Sequence, residues 1–414
     1  MNRSRDIFVY MEKIMISQKH LEYGIHSSVI REVFEYGVKR KAEIGKDNVY
    51  DFSLGNPSVP SPKKVNETIK KLLNDSDPTE LHGYSLGPGD EGVRKAIASY
   101  LNEKYSVNES YKRIYMTCGA AASLSISLNA LLNEDDEVIV LAPYFPEYRV
   151  FVEHTGAKVV EVQCDENTMQ PDVSRIESAI NEKTKAIIIN SPNNPTGAIY
   201  SSMVLAEIAG VVSDKEIQYS HPIYVLSDEP YRELAYEVSV PYIAKYFKNA
   251  IICYSFSKAL SIPGERIGYI CVCERCEDGD IVFKAICGAG RAMGYVCAPV
   301  LFQKMLPELL GITSNIEDYD KNRREIKRIL DECGFKYIDP QGAFYIFIKS
   351  PSESALDFCE EAKKCEILLV RGNEFGAPSY ARAAYCVSYK MIKDSENAWK
   401  KLAEQYGMKG KDND

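Results

Sequence analysis

The sequence predicts an α/β protein: a mostly parallel sheet of seven strands flanked by helices in a large domain, with a smaller α+β domain built from both chain ends. Two observations carry this expectation. Seven short apolar runs, at 113–117, 137–141, 158–162, 186–190, 223–226, 251–254 and 267–272, punctuate the middle of the chain. Strands covered on both faces read as such near-continuous apolar runs. Helical periodicity lies between several of them, for example at 92–105 and 120–132, and strand–helix alternation favours a parallel sheet.

Taken in order, residues 1–48 read as an arm and a helix (26–46) that belong with the small domain. The turn Gly55-Asn56-Pro57 follows, marked by the two residues that most often punctuate regular structure. Residues 49–310 hold the alternation and form the large domain. Beyond them the pattern changes. Residues 301–331 read as one long helix, 337–349 as strands around Gln341-Gly342, and 395–406 as a closing helix, so 311–414 form the smaller domain. No internal repeat or low-complexity stretch interrupts this order.

Composition narrows the function classes. The 414 residues exceed one typical domain, and 45% hydrophobic content can fill a substantial core. A net charge of −9 argues against a nucleic-acid or acidic-membrane partner, although a local arginine cluster can still attract small anions. Twelve cysteines, many inside apolar runs, fit buried free thiols in a reducing cytoplasm. Glu12 and Lys13 break up any signal-peptide core near the N-terminus, and no window approaches a membrane span. A soluble, cytoplasmic protein is expected.

Chemistry collects at strand ends. Five of the seven runs lead into Cys118-Gly119-Ala120-Ala121, Pro143-Tyr144-Phe145-Pro146, Pro192-Asn193-Asn194-Pro195-Thr196-Gly197, Asp228-Glu229-Pro230-Tyr231 and Ser257-Lys258. That edge is where open α/β sheets bind ligands. The last end is the most telling. Lysine is costly to bury, yet Lys258 follows a buried-type strand. Ser255, Ser257 and Arg266, the last in Pro263-Gly264-Glu265-Arg266-Ile267-Gly268, suit a phosphate. An amine beside a phosphate cup suggests a Schiff base with pyridoxal phosphate.

The NNPTG, SDEPY and SFSK…PGERIG motifs, in this order and within a match running from about 52 to 382, resemble the fold-type I pyridoxal-phosphate enzymes of the aspartate aminotransferase family, class I and II. The resemblance implies a homodimeric aminotransferase that moves an amino group between an L-amino acid and a 2-oxo acid by a ping-pong mechanism. Lys258 would form the Schiff base and carry the proton at the substrate Cα, tasks that suit a lysine of lowered pKa. Asp228 would pair with the pyridinium nitrogen; read alone, it could equally cap a turn. Tyr231 and Asn194 would bond the phenolic oxygen, and Phe145 would stack on the ring. Gly119, Ala120 and Ala121 would offer amides and a helix dipole to the phosphate, with Ser255, Ser257 and Arg266 completing the cup.

Tyr84 matches the tyrosine that reaches the phosphate of the neighbouring subunit. Arg382 would clamp the substrate carboxylate, although Ala383 and Ala384 stand where larger residues are expected; a surface salt bridge is the plain alternative. Gly55 matches the backbone that lies over that carboxylate. Arg291 falls near where dicarboxylate-specific members place a second, partner-derived arginine, which leans toward aspartate or glutamate as donor; a structural ion pair is the alternative. The same scaffold also supports β-lyases of the C–S lyase type, the main rival.

Two patterns are set aside. Gly87-Pro88-Gly89-Asp90-Glu91-Gly92 spells a dinucleotide fingerprint, but 77–84 reads as a turn rather than a strand, and Pro88 removes an amide. Cys271, Cys273 and Cys276 form a C-x-C-x-x-C cluster with no histidine nearby. Packed thiols are the simpler reading, and no metal is expected.

Overall fold

A computed structural model describes residues 16–25 and 28–408; most of the arm expected at 1–25 lies outside the described residues. After β1 (Tyr50–Asp51), seven strands form one sheet: β2 (Ile114–Thr117), β3 (Glu137–Ala142), β4 (Lys158–Gln163), β5 (Thr184–Asn190), β6 (Tyr224–Glu229), β7 (Ala250–Ser255) and β8 (Gly268–Val272). Their order is β2-β8-β7-β6-β5-β3-β4. Only β8 runs against the rest, pairing antiparallel with both β2 and β7, while the other contacts are parallel. The five polar strand ends therefore meet at one edge.

The sheet is a middle layer. Along β7, Ile251 and Cys253 join the core under helices Ala120–Leu131 and Gly279–Ala292. Ile252 and Tyr254 join the opposite core, under helices Glu91–Tyr105 and Ser202–Tyr219. Every residue of β7 is buried. This explains why the sequence shows an apolar run there and no alternation.

The smaller unit is an antiparallel sheet, β12-β13-β10-β9, made of β9 (Tyr337–Ile338), β10 (Tyr345–Lys349), β12 (Val370–Arg371) and β13 (Tyr380–Ala384). Its core centres on Trp399, Phe344, Phe358 and Tyr385, all fully buried. β1 pairs parallel with β11 (Ile367–Leu368), and the ladder continues as Phe52 N–H bonds to Leu368 O and its carbonyl accepts from Ala384 N–H. The early chain segment is thereby tied to this unit.

Three local expectations change. The single helix read at 301–331 is split into Val300–Met305, a 3₁₀ turn at Leu306–Glu308 and Ile316–Cys333. Pro307 cannot continue the hydrogen-bond ladder, Gly311 adopts φ +80°, and Asn315 caps the new start by accepting from Glu317 N–H. The helix expected at 26–46 is Val29–Ile44, preceded by a separate short helix, Gln18–Ile25, and it stops at Gly45, φ +92°. The stretch read as a turn before Gly87 holds a short helix, Pro78–His82, capped by Asp77; it still supplies no strand for a dinucleotide fold.

Ile252 is fully buried, whereas Ile281 is 61% exposed. Ile252→Ala is expected to cost about 2–5 kcal/mol, and Ile281→Ala within about 0.5 kcal/mol. Equilibrium denaturant unfolding of the two variants checks the contrast.

Candidate active site

A cavity of about 500 Å³ opens at the shared strand edge. Twelve of the residues singled out from the sequence line it: Gly55, Ala120, Ala121, Phe145, Asn194, Asp228, Tyr231, Ser255, Ser257, Lys258, Arg266 and Arg382. Gly119 sits immediately behind. Tyr84 and Arg291 do not line this chain's cavity. Tyr84 is 98% exposed, and Arg291 is exposed in the last turn of helix Gly279–Ala292.

Lys258 is placed by the end of β7. Ser255 leaves the strand and caps a one-turn helix, Phe256–Ala259, by accepting from Ser257 N–H at 3.2 Å. That turn aims the amine back into the cavity, where Nζ donates to Gly55 O at 2.7 Å. Burial brings the amine down from 10.5 to about 8; Cys386 opposes the shift, and Arg266 and Arg382 reinforce it. A neutral, nucleophilic amine is thus far more accessible near neutral pH than on an ordinary lysine.

Asp228, in β6, is 6% exposed. Its Oδ2 accepts from Tyr148 OH at 2.5 Å, and its backbone carbonyl from Asn190 Nδ2 at 2.9 Å. Oδ1 is buried with no partner, a costly state for a carboxylate oxygen. Burial raises the carboxyl from 3.8 to about 7; the Tyr148 bond holds it down, and Glu229 pushes it up. A cationic N–H donor delivered into the cavity would satisfy Oδ1 and keep the group ionised.

The anion cup lies at the start of helix Ala120–Leu131, whose N-cap, Gly119, has no side chain to fill it. Gly119 adopts φ +90°, and a Cβ there would meet Arg266 Nη2 at 2.8 Å. Glycine is required by both the angle and the packing. Arg266 Nη1 reaches Ser257 Oγ at 3.3 Å, and Ser255 Oγ bonds Ser257 Oγ at 2.8 Å. Free helix amides, two hydroxyls and a guanidinium make a phosphate-type site.

Among the described residues Arg382 is the most buried arginine, 1% exposed. Nη1 donates to Asn194 Oδ1 at 3.0 Å and Nη2 to Ser53 O at 2.5 Å. Nε is buried without a partner, and burial lowers the guanidinium's pKa. Among the described residues no carboxylate balances it, so the site suits an anionic ligand. The small residues at Ala383 and Ala384, both fully buried in β13, leave the arginine's place intact.

Sequence reasoning missed several cavity neighbours. Tyr148 and Asn190 hold Asp228, and Tyr345 bonds Tyr231 OH at 2.8 Å. Tyr148, three residues beyond Phe145 and one helical turn on, had a usable spacing signal; Tyr345 had none, because it arrives from the other sheet. Ile30, Arg31 and Phe34 line the cavity from helix Val29–Ile44, another contact no local pattern announces. The C-x-C-x-x-C cysteines separate: Cys271 and Cys273 share one core with each other, and Cys276 packs in the opposite one. Glu109 joins the first two, their ligand atoms lying within 4.8 Å; its carboxylate accepts from Glu274 N–H at 2.8 Å, with Cys271 Sγ at 3.9 Å.

Known proteins resemble this chain over most of its length. Residues 47–394 match the family model described as aminotransferase class I and II. A crystal structure of an aminotransferase from Eubacterium rectale superposes with a TM-score of 0.93 at 46% identity, covering 95% of this chain and 99% of that one. An aspartate aminotransferase from Pyrococcus horikoshii is 28% identical over 92% of this chain and 95% of its own length. An aromatic-amino-acid aminotransferase from Thermococcus litoralis is 27% identical over 92% and 97%. These matches give the lyase reading no support. The chain belongs to the class I and II aminotransferases.

Proposed function

We propose that this aminotransferase holds pyridoxal phosphate in the cavity and exchanges an amino group between an L-amino acid and a 2-oxo acid in two half-reactions of ping-pong type. The observation that carries the reading is the pairing, in one cavity, of an amine brought down to about 8 with a buried carboxylate oxygen that lacks a partner. The cofactor, once bound, supplies an electrophilic carbonyl and a ring able to take up the electron pair released at the substrate Cα.

This chain's residues do the rest. Ser255, Ser257, Arg266 and the amides of Ala120 and Ala121 would hold the phosphate, with Gly119 keeping the helix start open. Asp228 Oδ1 would accept from a ring N–H, Tyr231 and Asn194 would serve the phenolic oxygen, and Phe145 would cover the ring. Arg382, with Gly55 nearby, takes the substrate carboxylate. Lys258 would supply the amine that links to the cofactor and would carry the proton at the substrate Cα.

Tyr84 is assigned to the partner's phosphate cup in a homodimer, consistent with its full exposure here. Arg291 is assigned, from the partner, to a distal carboxylate. Aspartate or glutamate is therefore the favoured donor, in line with the relatives named as aspartate aminotransferases. The domain division at 48/49 and 310/311 and a cytoplasmic location belong to the same proposal. Among the described residues, no helix is long and apolar enough to cross a membrane.

A panel of amino donors against 2-oxoglutarate, followed spectroscopically through the first half-reaction, tests the reading. Pyruvate released from a β-substituted donor without any acceptor would favour a lyase instead. Lys258→Ala is expected to abolish the borohydride-reducible link to the cofactor and turnover together; retained turnover would sink the assignment. Only the neutral amine attacks, so the rate at which apoprotein captures the cofactor should rise with pH through about 8. A midpoint near the ordinary 10.5 would contradict the buried amine. Arg291→Ala is expected to lower kcat/KM for aspartate and glutamate by about tenfold to a hundredfold while sparing alanine and phenylalanine. Equal losses across donors would refute the specificity role.

A further inference from the structure

Tyr345 enters the cavity from the smaller sheet, at the start of β10, and three separate contacts converge on it. Its hydroxyl lies 2.8 Å from Tyr231 OH. A Cβ on Gly55 would come within 2.0 Å of that same hydroxyl, so only glycine at 55 lets it approach. The Arg382 guanidinium carbon stands 4.6 Å from the centre of its ring. Tyr345 is 3% exposed and Tyr231 5%, so each keeps little contact with solvent.

We propose that Tyr345 is a positioning residue that donates its hydroxyl proton to Tyr231, fixing Tyr231 as a donor into the cavity. The inference rests on the cofactor reading above, in which Tyr231 faces the phenolic oxygen. Each phenol carries one proton and can accept as well as donate. A ligand oxygen that accepts from Tyr231 leaves Tyr231's own oxygen to accept, and Tyr345 is the group within reach to donate to it. Consecutive hydrogen bonds polarise one another, so a donor held this way is stronger than a lone phenol. The Arg382 charge over the ring acts in the same direction, since it favours loss of the Tyr345 proton.

Burial raises both phenols above their ordinary range, Tyr345 to about 12 and Tyr231 well above its usual value. Both are therefore neutral proton donors across the working pH range. The ionisable groups facing the pair are Arg382 and Cys386 beside Tyr345, and Arg382 and Asp228 beside Tyr231. Lys258 lies across the cavity with Cys386, Arg266 and Arg382 as its charged surroundings. None of these changes in a Tyr345→Phe protein, which also keeps the ring under Arg382.

The test is a double-mutant cycle on protein reconstituted with pyridoxal phosphate: wild type, Y345F, Y231F and the double variant. The readouts are the pH midpoint of the lysine-linked cofactor's visible absorption and the cofactor dissociation constant by equilibrium dialysis. A weaker donor to the phenolic oxygen stabilises its ionised form less, so Y345F should raise the midpoint by about half a pH unit and weaken cofactor binding about threefold. KM for the amino acid should stay within about twofold, because the face under Arg382 is kept. In the Y231F background the same substitution should shift nothing further. An unchanged midpoint in Y345F, or an equal shift with and without the Tyr231 hydroxyl, overturns the inference. A wild type that takes up no cofactor refutes the cofactor reading itself, and is thus distinguishable.

Discussion

Three ionisable groups sit where water can barely reach them, and the site follows from that cost. Lys258, Asp228 and Arg382 line one cavity, and each pays for burial differently. The amine drifts toward neutrality, the carboxyl rises to about 7, and the guanidinium stays charged with a nitrogen left unsatisfied. A folded chain tolerates such an arrangement only if neighbouring dipoles hold it, or if a ligand of opposite polarity completes it. Tyr148 and Asn190 do the first for Asp228, while Asn194 and Ser53 do it for Arg382. What they leave open is one acceptor on Asp228 and one donor on Arg382, both lacking a partner in residues that line the cavity.

The sheet makes this economical. Burying β7 on both faces fixes its direction without any polar contact, and Ser255 then turns the chain within one residue of the edge. Because β8 is the only strand reversed, five strand ends deliver side chains to one line. The second sheet supplies Arg382 and Tyr345 from above, and the β1–β11 pairing brings Gly55 with them.

Most of this was legible in sequence, for a physical reason. Strand ends carry chemistry at positions fixed by local periodicity, so Asn194, Asp228 and Lys258 could be read from the runs that precede them. Residues such as Tyr345, Arg31 and Phe34 reach the cavity by long-range packing, and no spacing within their own segments reports it. The helix break at Pro307 was readable from proline's missing N–H, yet the amphipathic pattern on either side masked it. The split of Cys276 from Cys271 and Cys273 follows from a turn after β8 that carries it to the opposite face of the sheet.

The bond from Lys258 Nζ to Gly55 O joins residues 203 positions apart, one just past β7 of the large sheet and one a few residues past β1, whose ladder runs onto the small sheet. That carbonyl is the amine's resting partner. Any reaction that commits the amine elsewhere hands the carbonyl back, freeing the backbone beside the Arg382 pocket to take a new donor.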